Sequence, residues 1–214
     1  MSFKDEFVII LVGVLIMKIL LATKNLGKVK EFKEMFDDLH IDFLSLNDLD
    51  PSFEVVETGL TYLENARIKA YKAYEAFHLP VIADDSGLEV EALNNLPGVF
   101  SHRFSGFTDD KKNMDYLLEK LKKESNRKAN FVCTLVFFNG EQEIITTGKV
   151  EGKIIDNPKG NKGFGYDPIF FIEKLDKTFA ELSEEEKNLL SHRGKAIKKL
   201  YSEIKKNENN SFFR

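Results

Sequence analysis

Val81-Ile82-Ala83-Asp84-Asp85-Ser86-Gly87 is the stretch on which the fold turns. An apolar triplet of this kind reads as a strand buried on both faces. It runs straight into two adjacent carboxylates and a Ser-Gly turn. Acids at the end of a buried strand are costly unless a cation or hydrogen-bond donors meet them. Strand ends in α/β sheets are also where ligands collect. Alone, Asp-Ser-Gly is equally explained as a solvated turn; three other segments of the chain carry the residues to meet it.

A chain of 214 residues can bury one sizeable core, with room for two lobes. Its 43% apolar and 31% charged residues are ordinary for a soluble globular protein. A formal net charge of −4 argues against a nucleic-acid partner, which would bring a basic excess. An anionic small substrate then requires basic residues gathered locally. The single cysteine, Cys133, stands in the apolar run Phe131–Phe138, so no disulfide can form within the chain. That fits a reducing, cytoplasmic setting.

Residues Phe7 to Ile16 form an unbroken apolar run that is short for a membrane span. Lys4 is offset by Asp5 and Glu6, and cleavage near Ala22 would remove a strand, so a signal peptide fits poorly. Residues 1–16 read as an extension outside the fold, with no role at a membrane, and Met17 as the start of a domain reaching residue 204. Residues 205–214 read as a polar, disordered tail.

Lys18–Ala22 predicts a strand, followed by the loop Thr23-Lys24-Asn25-Leu26-Gly27. A helix then carries Val29, Phe32, Phe36 and Leu39 on one face. Phe43–Leu46 suggests a second strand and residues 47–53 a loop. Val55-Val56-Glu57 reads as extended. Thr61-x-x-Glu64 is a capping box that opens a helix to Phe77, with Ala66, Ala70 and Ala73 on its packing face. Leu88–Leu93 fits strand or helix, Asn94–Gly98 a turn, and Thr108 can cap the next helix. Ala129–Phe138 and Glu141–Gly148 read as a hairpin through Asn139-Gly140, the second strand running on past a bulge to Ile155. Gly160–Gly165 is a glycine-rich loop before a strand at Ile169–Ile172. Ser183-x-x-Glu186 is a second capping box, and Ser191 can cap a last helix. With no repeat and no linker, one α/β domain is the economical reading.

Thr23 to Lys28 put backbone N–H groups and two lysines at a helix N-terminus, an arrangement that favours phosphate. The segment is not a P-loop, because Val29 stands where Ser or Thr should follow Gly-Lys. Glu57 or Glu64 could join Asp85 around a hard divalent cation. In Gly163-Phe164-Gly165-Tyr166-Asp167-Pro168, glycines allow a close backbone approach and Phe164 can stack on a flat ligand. Lys187, His192 and Arg193 offer donors for carbonyl or phosphate oxygens.

Six segments occur in order: Thr23–Lys28, Glu57-Thr58-Gly59 with Glu64-Asn65-Ala66, Ala83–Gly87, Leu96-Pro97-Gly98, Gly163–Pro168 and Ser191-His192-Arg193. Together they resemble the XTP/dITP pyrophosphatases, the inosine-triphosphatase family that clears aberrant purine nucleotides. Lys24 departs from the pattern, since many members have glycine there. The resemblance implies an elongated mixed β-sheet flanked by helices in two lobes, with the active site in the cleft between them. It implies a homodimer and Mg2+-dependent hydrolysis of ITP, dITP or XTP to the monophosphate and pyrophosphate. By the same resemblance, Thr23, Lys24, Asn25, Leu26, Gly27 and Lys28 hold the triphosphate. Asp85 is proton acceptor and metal ligand, with Glu57 the second ligand and Glu64 its alternative. Ser86 contacts substrate, while Phe164, Gly165, Tyr166, Asp167, Lys187, His192 and Arg193 form the base pocket. Three other readings stay open: a nucleotide sensor without turnover, a Maf-type pyrophosphatase acting on other modified nucleotides, and a protein tethered to a membrane through residues 1–16.

Overall fold

The computed structural model describes residues 17–39 and 41–207. The expectations for residues 1–16 and for the end of the polar tail lie outside this range. Among the described residues eight strands form one elongated mixed sheet, and its two central strands traverse both lobes. These are β3 (Val81–Val90) and β5 (Lys128–Phe138), paired antiparallel along their whole shared length, from Val81 opposite Phe138 to Val90 opposite Ala129. On one side of β3 lie β1 (Met17–Leu21) and then β2 (Ile41–Ser45), both parallel to it. Beyond β5 come β6 (Glu143–Ile154), β7 (Phe170–Ile172) and the two-residue β8 (Lys177–Thr178), each antiparallel to its neighbour.

Strand alternation divides the first lobe's core between the two faces of the sheet. Ile19, Leu21 and Ile82 pack with Phe32 and Phe36 of α1 (Leu26–Met35) and its C-cap, and with Ile197 and Leu200 of α6 (His192–Asn207). Leu20, Val81 and Ala83 face α3 (Tyr62–Phe77), whose Ala66, Ala70 and Ala73 are wholly buried. Three small residues let α3 lie close on the sheet, which sets the depth of every polar side chain that α3 carries. The second lobe collects Leu88, Val90, Phe131, Val150, Phe170 and Phe179 beneath α4 (Asp110–Leu121).

The central stretch departs from its local reading. Asp84-Asp85-Ser86-Gly87 is neither a turn nor a strand end; the chain stays extended to Val90, then makes a short 3-10 turn at Glu91–Leu93. The reason is tertiary, because β5 supplies a ladder partner for every one of these residues. The opposite edge differs. β1 pairs with β3 only as far as Ile82, and β4 (Leu96–Gly98) resumes the pairing at Leu88. Between them the edge of β3 is bare, and the cleft opens there.

Smaller expectations also change. Asn94 and Asn95 turn with positive φ, but Leu96–Gly98 pairs as a strand. Residues 46–49 form the one-turn helix α2, capped by Asp48 on Ser45. Asp109, not Thr108, caps α4 by accepting from the Lys112 N–H at 2.7 Å. The hairpin loop spans 139–142, because the Asn139 carboxamide accepts from the Glu141 and Gln142 N–H groups and so extends the turn. The β5–β6 ladder keeps a single register throughout, without a bulge. The last helix runs to Asn207, beyond the expected 204.

Candidate active site

Adjacent residues of a strand face opposite ways, and this gives the two acids different neighbours. Asp84 points with Ile82 toward α1 and α6. There Lys28 Nζ reaches its two oxygens at 2.8 and 2.9 Å, and Arg193 Nε lies 3.4 Å away. Ser86 Oγ adds a third donor at 3.2 Å. Burial alone would raise the Asp84 pKa, but Lys28, Arg193 and Lys69 hold it well below the carboxylate range. Arg193 is itself buried, its Nη1 3.3 Å from Glu31, one turn past Lys28 on α1. A fixed anion thus anchors two cations, one from each end of the chain.

Asp85 points with Ala83 toward α3. The buried Asn65 donates from Nδ2 to Asp85 Oδ2 at 3.1 Å. Its Oδ1 accepts from the Gly59 N–H at 2.8 Å, tying the irregular 53–59 segment to the acid. Gly59 is required at this contact, since a Cβ there would lie 2.6 Å from Glu64 Cβ and 2.7 Å from Asn65 Oδ1. One helical turn beyond Asn65, Lys69 Nζ stands 2.9 Å from Glu57 Oε1 and 3.8 Å from Asp85 Oδ1. Among the described residues Lys69 alone pairs with Asp85, at a distance too long for a hydrogen bond. Burial, opposed by Lys69 and reinforced by Glu57, pushes its pKa up to about 6. It therefore loses its proton just below neutrality, where a general base is effective.

Of the two glutamates considered beside Asp85, Glu64 is committed elsewhere. Its carboxylate accepts from the Leu60 and Thr61 N–H groups at 2.7 and 3.0 Å, completing the cap of α3. Glu57 is the one that borders the cleft. Glu57 and Asp85 already share one cation, the Lys69 ammonium, and they present hard oxygen donors. That set suits Mg2+, which is commonly held by one or two carboxylates with phosphate and water completing its shell. Among the described residues no third carboxylate, histidine or cysteine joins them.

The cleft encloses about 1020 Å3, and Asn25, Lys28, Phe164 and His192 are among the residues that line it. Of the expected triphosphate loop, Asn25 and Lys28 line it, while Thr23, Lys24, Leu26 and Gly27 do not. Asn25 is the N-cap of α1, and its Oδ1 accepts from the Gly27 and Lys28 N–H groups at 2.9 and 3.3 Å. The carboxamide thus occupies two of the donors that would face an anion. Lys24 Nζ lies 3.6 Å from Glu54, a carboxylate that borders the cleft.

Phe164 is half exposed, with Lys187 Nζ 4.9 Å and the Arg193 guanidinium 5.9 Å from its ring centre. The buried Asp167 carboxylate accepts from the Phe164 N–H at 2.9 Å and from Lys187 Nζ at 2.5 Å. Gly163, at φ +75°, leaves room for this, since a Cβ would lie 2.0 Å from Asp167 Oδ2. Gly165 donates its N–H to Asp110 on α4 at 2.9 Å. Tyr166 borders the cavity, but its ring packs in the second lobe's core and its hydroxyl donates to the Ser101 carbonyl at 2.9 Å. His192 stacks on Phe131 at 4.8 Å between ring centres, and its buried Nδ1 has no partner among the described residues. Burial, with Arg193 and Lys187 nearby, pulls its pKa well below the usual histidine value. The ring is neutral at pH 7.

Four residues of this arrangement escaped the sequence reading as functional candidates: Asp84, Asn65, Lys69 and Glu31. Lys69 and Asn65 share the i, i+4 spacing of one helix face, as Lys28 and Glu31 share i, i+3, a signal that acquires meaning only once the partner strand is known.

The Ham1 family model matches residues 19–203. A dITP/XTP pyrophosphatase of Aquifex aeolicus is 45% identical over 199 residues, covering 88% of this chain and 97% of its own. Among solved structures, the Staphylococcus aureus Ham1 protein superposes with a TM-score of 0.83 at 42% identity, covering 89% of this chain and 100% of its own. A HAM1 protein from Coxiella burnetii gives 0.84 at 40% identity, covering 89% and 99%. The match takes in both lobes and every residue that borders the cleft, and the chain belongs to the Ham1 family.

Proposed function

We propose that this chain is a dITP/XTP pyrophosphatase, hydrolysing dITP, XTP and ITP to the nucleoside monophosphate and pyrophosphate. The observation that carries the reading is the bare edge of β3. It leaves Asp85, with its raised pKa, on a cleft that the Lys28 ammonium and the Phe164 ring also border, which supports the reading. A polyanion with a flat base has both ends provided for in one cleft.

In the reaction, Asp85 takes a proton from water as the oxygen bonds to the α-phosphorus. The bond from that phosphorus to the bridging oxygen breaks, and pyrophosphate leaves with the electron pair. Asp85 and Glu57 would hold Mg2+, which when bound neutralises charge on the phosphate oxygens. Asn65 keeps the Asp85 carboxylate in one rotamer, and Lys69 opposes the negative charge gathered on Glu57, Asp85 and substrate. Lys28, gripped by Asp84, presents its charge without a long swing. Ser86, on the same bare edge, is placed to meet the substrate beside them.

Selectivity follows from donor chemistry. Hypoxanthine and xanthine carry a carbonyl at position 6, where adenine carries an amino group. Lys187 and Arg193 can only donate, and a buried donor facing an amino group stays unpaired, a mismatch that can discriminate by about 10⁴-fold. The resemblance further supports a homodimer without nucleic-acid or membrane partners, and the lone, buried Cys133 suits a cytoplasmic setting; light scattering and cell fractionation check these. A panel of nucleoside triphosphates assayed with Mg2+ for both phosphate and pyrophosphate tests the activity. Pyrophosphate from ITP and XTP, weaker from GTP and weakest from ATP and the pyrimidines, is expected. Tight binding of ITP without turnover would instead identify a sensor.

A further inference from the structure

Four of the five cationic side chains bordering the cleft are already held by carboxylates: Lys28, Lys69, Lys187 and Arg193. The guanidinium of the fifth, Arg103, has no hydrogen bond or ion pair among the described residues, and rests 5.4 Å from the Phe100 ring centre. The cleft is also lined by five carboxylates, so its own charges balance. A polyanion entering a balanced site needs a cation that is not spoken for.

The backbone that presents Arg103 is firmly placed. Ser101 Oγ accepts from the Leu88 N–H of β3 at 2.8 Å and donates to the Gly98 carbonyl at 2.7 Å. The buried Asn113 of α4 donates to the His102 carbonyl at 2.9 Å and accepts from the Ser105 N–H and hydroxyl, each at 2.8 Å. Gly87 permits the close contact, as a Cβ there would lie 2.2 Å from the Gly98 carbonyl oxygen and 2.8 Å from Ser101 Oγ. The turn that carries Arg103 is therefore fixed against the bare edge of β3, two residues from Asp85, while the side chain itself stays exposed.

We propose that Arg103 is a further substrate-binding residue that grips the β- and γ-phosphates, the part of the substrate that leaves as pyrophosphate. This rests on the pyrophosphatase reading. The base end already has Lys187, His192 and Arg193, whereas the forked guanidinium matches phosphate oxygens two at a time. The test uses the full chain with Mg2+, comparing wild type, Arg103→Ala and Arg103→Lys. Calorimetry measures binding of inorganic pyrophosphate and of IMP, and steady-state assays give KM for ITP. Arg103→Ala should weaken pyrophosphate binding and raise KM at least about tenfold, the size expected for losing one charge-assisted pair. IMP affinity and the melting temperature should stay as in wild type, and Arg103→Lys should recover part of the loss. Unchanged pyrophosphate binding in Arg103→Ala, or an equal loss of IMP and pyrophosphate, overturns the proposal. A wild type that binds pyrophosphate through Arg103 yet hydrolyses no triphosphate would refute the pyrophosphatase reading and leave the Arg103 site standing.

Discussion

Replacing Asp85 by Asn should make the protein more stable while disabling it. In the folded chain this carboxyl holds its proton to about pH 6, because burial outweighs Lys69 and Glu57 adds repulsion. Unfolded, it ionises near the ordinary value of about 3.9. A folded pKa above the unfolded one contributes stability that is complete below about pH 4 and is lost as pH rises through about 6. Two units of difference correspond to roughly 3 kcal/mol. Asn cannot ionise and keeps the shape, so the variant avoids that loss. Urea unfolding in the presence of a chelator, which removes any stabilising cation, should show Asp85→Asn gaining roughly 3 kcal/mol on wild type at pH 7.5. At pH 4 most of the gain should vanish. For a domain of this size the neutral-pH difference amounts to a melting shift on the order of 5–10 °C. Turnover should fall at least about 10²-fold, and wild-type kcat/KM should rise with pH through about 6. An Asp85→Asn protein no more stable than wild type at pH 7.5, or equally altered at both pH values, would refute the reasoning.

Asp84→Asn should act oppositely, because it strips the anion from the buried Arg193 and the part-buried Lys28; a loss of about 3–5 kcal/mol in urea unfolding is expected, at pH 7.5 as at pH 6. Arg193→Ala should slow ITP far more than ATP and narrow the ratio of their kcat/KM values; equal slowing would make Arg193 a phosphate clamp. Ala70→Leu should overfill the seam between α3 and the sheet, costing about 1–3 kcal/mol. By displacing Asn65 and Lys69 it should also depress kcat in the fraction that remains folded; full activity there would sever the link between α3 seating and Asp85.

What the sequence disclosed was local. The capping boxes Thr61-x-x-Glu64 and Ser183-x-x-Glu186 form as their spacing requires, and the alanine face of α3 packs as written. Asp84 to Gly87 misled for the same reason. Their composition favours a turn, and only the remote ladder with β5 holds them extended. Glu57 and Glu64 could not be separated from spacing alone, since the choice depends on which carboxylate the helix cap consumes. Tyr166 shares a motif with Phe164, yet the two rings part, one into the core and one into the cleft, because Ser101 captures the tyrosine hydroxyl. Lys69, Glu31 and Asp84 take their roles from partners distant in the chain, which no single segment reveals.

Isotope placement shows whether water, deprotonated by Asp85, attacks the α-phosphorus. ITP should be turned over in ¹⁸O-water with Mg2+ and the products examined by ³¹P NMR and mass spectrometry. One ¹⁸O in each IMP phosphate, with unlabelled pyrophosphate in equal amount, is the predicted result. Label in orthophosphate or in pyrophosphate, or IDP as a primary product, would contradict it.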